Sequence, residues 1–178
     1  RSKAALLVFS IVASSAAADE PERTEPAPVL AVFDIESKGP NIKPEALGRL
    51  SEYLADSLAA SGLFQLVPRD DLRKRLAVQK TLSHKDCFDQ KCQIDLGLEL
   101  AAQKILKTQI IKVGKKCKLT LVFFDLRTAT TDGGKKASTQ CGEAGIAEAI
   151  DVVVNELVTE RSRPAGIQAP NVFATVST

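Results

Sequence analysis

Apolar residues along the chain fall into runs of two periods, and the order of those runs outlines a fold. Val29 to Ile35 is a short, β-rich stretch closed by Ser37-Lys-Gly-Pro40. Pro44 suits a first helical turn. Beyond it Leu47, Leu50, Leu54 and Leu58 recur three and four residues apart, which predicts one apolar helix face ending at Gly62. Leu63 to Val67 reads as a second strand. Asp70 or Asp71 can cap a helix that carries Leu72 and Leu76 on one face and Arg73, Lys74 and Arg75 in solvent. A further helix runs through Ile94, Leu98 and Ala101. Lys104 to Val113 alternates, with Leu106, Thr108 and Ile110 on one side. Gly114-Lys-Lys116 turns the chain into Cys117 to Leu126, which is apolar on both faces and therefore predicted to be an internal strand. Thr128 to Gly134 is the next turn and Lys135 to Cys141 completes a hairpin. The last helix, Gly142 to Glu160, has a stripe of Ile146, Ile150, Val153, Val154 and Leu157. The pattern predicts an α/β (α+β) domain: a mixed sheet of about five strands with helices packed on it, in the order β-α-β-α-α-β-β-β-α. Its first β-α-β unit favours parallel strands joined by a right-handed crossover.

The ends of the chain differ in kind. Residues 1–18 pair Arg1 and Lys3 with an apolar stretch from Ala4 to Val12 and small residues up to Ala18, the arrangement of a secretory signal peptide cleaved after Ala18. No Cys follows the small residues, so cleavage without a lipid anchor is expected. Residues 19–27, charged and broken by prolines, read as a flexible leader, 28–160 as the domain, and 161–178 as a disordered tail.

Charge narrows the function classes. The chain of 178 residues has 24 basic and 22 acidic side chains, and setting aside Arg1 and Lys3 leaves the two signs equal. That balance argues against a nucleic-acid partner held by bulk electrostatics. A single His, and neither Met nor Trp, excludes two-His catalytic or metal sites. In an exported chain, Cys87, Cys92, Cys117 and Cys141 are expected to form two disulfides. Three pairings are open. Cys87–Cys92 with Cys117–Cys141 is favoured, because the first pair brackets a short loop and the second falls across a predicted hairpin. A zinc site is disfavoured by the C-x4-C spacing followed by two isolated cysteines.

Catalytic candidates are sparse. Asp34 and Glu36 lie at the end of the first strand, where α/β sheets place ligands. With His84 they form the alternative reading of a secreted, hydrolase-like enzyme, which requires all three to meet in one concave pocket. Asp86, Asp89 and Asp95 lack the order of an EF-hand. Asp132-Gly-Gly134 opens a strand and lacks the Lys-Ser/Thr of a phosphate loop. Arg69, Arg73, Lys74 and Arg75 are balanced by Asp70 and Asp71. No catalytic residue, cofactor or metal is expected.

Several short motifs together carry a likeness. Val-Leu-Ala-Val-Phe-Asp at 29–34 is followed by a helix ending Leu58-Ala-Ala-Ser-Gly-Leu-Phe64, and Val67-Pro-Arg69 leads into the next. Leu96-Gly97 then enters a strand through Ala101-Ala102, and a later strand ends Phe124-Asp-Leu-Arg-Thr128. Over about residues 28–158 the chain resembles the periplasmic α/β domain of the curli-secretion (CsgG-like) family, and is similar to the TolB N-terminal domain and the LpoB-type activators. It departs from that group at Ala129, where the turn commonly has Gly. The resemblance implies a non-catalytic bacterial envelope protein, periplasmic or secreted, that binds another envelope protein and associates with the outer membrane through it. Val122, Phe124 and Leu126, opposite the face served by the two long helix stripes, form with Arg73 and Arg75 a candidate partner surface. The alternative is that helices at 70–82 and 93–101 bury that face.

Overall fold

The structure, a computed structural model, describes residues 26–83 and 87–161. Residues 1–25, 84–86 and 162–178 lie outside the described residues, and with them the expected signal peptide, most of the expected leader, His84, Asp86 and the expected tail after Arg161. The elements are β1 (Val29–Val32), β2 (Glu36–Lys38), α1 (Pro44–Ala60), β3 (Gln65–Leu66), α2 (Arg69–Ser83), α3 (Gln90–Glu99), β4 (Lys104–Val113), β5 (Lys116–Asp125), β6 (Thr130–Gln140) and α4 (Glu143–Arg161).

They form one mixed sheet in the order β3-β1-β4-β5-β6, with β2 also pairing β4. β1 is parallel to both β3 and β4, and β2 is parallel to β4, whereas β4, β5 and β6 form an antiparallel meander. β5 is internal, between β4 and β6, although only its stretch from Leu121 to Phe124 is apolar on both faces.

There are six strands, one more than the periodicity indicates. The stretch expected to run unbroken to Ile35 leaves the ladder after Phe33, whose N–H still bonds Leu106 O at 3.3 Å. It rejoins as β2, pairing Glu36, Ser37 and Lys38 with Gln109, Ile110 and Ile111. Three polar residues show no alternation, so β2 has no hydrophobic signature. β6 is also longer than expected. The chain reverses over 126–129 instead, where Asp125 Oδ1 accepts the N–H groups of Arg127 (2.9 Å) and Thr128 (3.1 Å) and Ala129 takes φ 55°. Two helix boundaries move as well. Asp70 and Asp71 occupy the first turn of α2, and Pro68 O receives the N–H groups of Asp71 and Leu72. Asp89 caps α3 by accepting the Cys92 N–H at 2.9 Å, and α3 ends before Ala101, leaving Leu98 exposed.

Two cores lie on opposite faces of the sheet. On one, Leu50, Leu54 and Leu58 of α1 and Ile146, Ile150 and Val153 of α4 meet Leu106, Ile110, Leu119, Leu121 and Phe123. The disulfide Cys117–Cys141, Cα atoms 5.0 Å apart, joins the start of β5 to the β6–α4 junction at the margin of this core. On the other face Leu72 and Leu96 cover Ala31, Phe33, Ile105 and Phe124. The disulfide Cys87–Cys92, Cα atoms 5.6 Å apart, ties the loop before α3 to its first turn.

The second core takes in the apolar members of the expected partner surface. Phe124 is only 9% exposed, and Val122 and Leu126 are half-buried against it. Gly97 explains how α3 comes so close: a Cβ there would lie 2.6 Å from Ile105 Cγ2 and 2.9 Å from Leu126 Cδ1. Arg73 pairs with Glu52 of α1, and Arg75 is exposed.

Candidate functional site

On the second face, α2 and α3 cover only the part of the sheet near Ile105 and Phe124. The strand register shows what lies beyond them. Side chains on this face of β4 are Gln109, Ile111 and Val113, opposite Thr120, Lys118 and Lys116 of β5. Lys116, Lys118 and Thr120 stand in turn opposite Gln140, Ser138 and Lys136 of β6. Lys38 of β2 stands beside Ile111. Because side chains alternate along a strand, these residues share one face. Ile111 is 37% exposed and Val113 51%, and Lys38, Lys116, Lys118 and Lys136 are all exposed. Glu36, held by Gln109 Nε2 at 2.8 Å and paired with Lys38 at 3.2 Å, is the one carboxylate in these rows. Lys107 marks the boundary: its ammonium donates to Phe88 O at 2.9 Å, where the loop before α3 meets the sheet.

The result is a flat patch of strand backbone carrying four lysines and two aliphatic side chains. Strands with one solvated face normally read apolar-in and polar-out, and Lys116-Cys-Lys118-Leu119 follows that rule. What the sequence reading missed is that the outward lysines of three strands line up. Their signal in β5 is the alternation of Lys116 and Lys118 with Cys117 and Leu119; Lys112 lies on the opposite face of β4 and Lys115 in the turn. Gly114-Lys-Lys116 is expected to be a turn, whereas Lys116 opens β5.

The expected catalytic carboxylates have separate structural partners. Asp34 Oδ1 accepts from Arg69 Nη2 at 2.5 Å, and Arg69 Nη1 also reaches Val32 O at 3.4 Å, tying the end of β1 to the start of α2. Glu36 belongs to the β2–β4 pairing described above. His84 lies outside the described residues, so no meeting of the three is observed. Asp132 pairs with Lys104, which also reaches Asp125 at 3.4 Å. The Thr128 backbone N–H, assisted by Lys104, holds the Asp125 carboxyl below its ordinary range. Hydrogen bonds and charge from Arg73 lower Glu52, and those from Arg49 lower Glu143. Among the described residues no group of His, Cys, Asp or Glu is placed to hold a metal ion, and no helix is long and apolar enough to cross a membrane.

No family model and no curated protein matches the sequence. Solved structures do match the fold. The C-terminal domain of LpoB from Salmonella enterica superposes with a TM-score of 0.50 at 18% identity, covering 64% of this chain and 83% of that one. The LpoB domain from Escherichia coli gives the same values. Lipoprotein GNA1162 from Neisseria meningitidis superposes with a TM-score of 0.51 at 14% identity, covering 74% of this chain and 96% of that one. The chain therefore has an LpoB-like fold.

Proposed function

We propose that this protein is a non-catalytic module of the bacterial cell envelope that docks another envelope protein on the bare half of its sheet. The observation that carries this reading is the face formed by Lys38, Ile111, Val113, Lys116, Lys118 and Lys136, which the helices among the described residues leave uncovered. Four cations beside two aliphatic side chains call for a partner surface that is acidic with an apolar centre. The fold shared with LpoB and lipoprotein GNA1162 and the two disulfides support an exported, oxidising location. Export through residues 1–18, kinship with the curli-secretion and TolB domains, and approach to the outer membrane through the partner are the finer parts of the same reading. Among the described residues, Asp34 and Glu36 are engaged by Arg69, Gln109 and Lys38.

The test uses the chain without residues 1–18, immobilised and exposed to envelope extract, beside a Lys116→Glu/Lys118→Glu/Lys136→Glu variant. All three positions are exposed, so the variant should fold. A partner captured by the wild type, released by salt and lost in the variant supports the reading, provided that hydrogen exchange shows protection on β5 and β6. Capture that is equal in the variant, or protection confined to α4, overturns it.

A further inference from the structure

A second surface, independent of the docking reading, runs along the outer edge of β6. Among the described residues β6 pairs with β5 alone and closes the sheet on that side. Leu126 N–H donates to Gln103 O at 2.9 Å, and Lys104 stands opposite Asp125. That bond fixes the sense of the ladder, so the even-numbered residues of β5 bond β4. Cys117, Leu119 and Leu121 therefore turn their backbone groups to Thr139, Ala137 and Lys135 of β6. The N–H and C=O groups of Gly134, Lys136, Ser138 and Gln140 point outward. This stretch is regular, since the shift in register falls between Val122 and Phe124, before Gly134. An unpaired row of this kind is a template for a further strand.

We propose that the strand it takes is the same edge of a second copy, with β6 antiparallel to β6 about a two-fold axis at Ala137. Charge sets the register. An axis at Lys135 or Lys136 would oppose each lysine to itself, which is destabilising. An axis at Ala137 sets Lys136 against Ser138 and Lys135 against Thr139 of the other copy, and leaves a small side chain at the centre. It also uses the whole regular stretch from Gly134 to Gln140, forming about eight main-chain hydrogen bonds, as many as a standard interface carries.

The helix above the edge has matching symmetry. α4 retraces this stretch of β6 in reverse: Gly145 lies against Gln140, and Glu160 pairs with Lys135. Val152, midway between them, is 48% exposed. It lies on the flank away from α1, which bonds the other side of α4 through Tyr53 and Asp151 at 2.6 Å. The axis at Ala137 brings the two Val152 side chains toward each other. Because that axis is perpendicular to the sheet, the lysine faces of both copies point the same way.

The test uses the chain without residues 1–18. Sedimentation equilibrium should show a dimer at micromolar concentration, and hydrogen exchange at Lys136, Ser138 and Gln140 should slow as concentration rises. Ser138→Lys, at an exposed position, opposes Lys136 of the other copy twice by symmetry and should weaken the dimer about fivefold. Adding Lys136→Glu makes both contacts opposite in charge and should restore it. A monomer at millimolar concentration would overturn the proposal. So would protection of these amides that is independent of concentration, the mark of a segment of the same chain on the edge. A dimer indifferent to Ser138→Lys, or not restored by the added Lys136→Glu, would overturn the register and with it the proposal.

Discussion

The backbone N–H of Ile35 donates to Ser51 Oγ at 2.9 Å, joining the break between β1 and β2 to the middle of α1. Ser51 is buried, and its hydroxyl donates to Leu47 O at 2.7 Å. One small side chain thus satisfies the amide that the sheet releases where the first strand breaks. Ser51→Ala would orphan that amide in the core and is expected to destabilise the domain by about 1–3 kcal/mol. Urea denaturation measures this, and an unchanged midpoint would show that the bond contributes nothing.

Gly97 faces Ile105 and Leu126 at distances that leave no room for a methyl group. Helix propensity alone would make Gly97→Ala stabilising by up to about 1 kcal/mol. Contact with the sheet should reverse the sign, giving a net loss of about 1–3 kcal/mol as α3 is pushed outward. A stabilised variant in thermal unfolding would mean that α3 is not seated this closely.

Phe124 is part of the second core. Phe124→Ala is expected to lower stability by about 3–5 kcal/mol. A variant that unfolds at the wild-type midpoint but loses its partner would restore the docking role and contradict the observed burial.

The Cys117–Cys141 bridge closes a loop with a sequence separation of 24. The chain-entropy model assigns such a loop about 3 kcal/mol. The Cys117→Ala/Cys141→Ser double variant should show that loss in denaturant. A reductant should reproduce it in the wild type and have no further effect on the variant through this bond. Equal stability with and without reductant, or two free thiols at these positions, would refute it.

Acid sensitivity follows from the lowered carboxyls. The folded-state pKa values of Asp125, Glu52 and Glu143 lie below their ordinary values. Each therefore contributes stability above the unfolded-state pKa, about 4, and loses it as pH falls through the lower folded value. Stability should decline below about pH 4. Asp125→Asn should flatten the part of that decline due to the 126–129 turn, and an unaltered acid profile would show that Thr128 and Lys104 do not act on this group.

The periodic parts of the sequence determined much of the architecture. The leucines of α1, the Ile and Val stripe of α4 and the alternation through β4 and β5 each state which residues must leave water. Local spacing made Cys87–Cys92 and Cys117–Cys141 the favoured pairs, and the structure joins those residues. Tertiary structure alone decided β2, whose three polar residues become a strand only because β4 offers free pairing at Gln109 to Ile111. It also decided the extent of cover on the second face. Phe124 and Lys118 share that face of β5. The first is buried and the second exposed because α3 reaches one and not the other. Alternation can say on which side of a strand a residue lies. What lies across it depends on segments distant in sequence, and so do the exposed lysine rows.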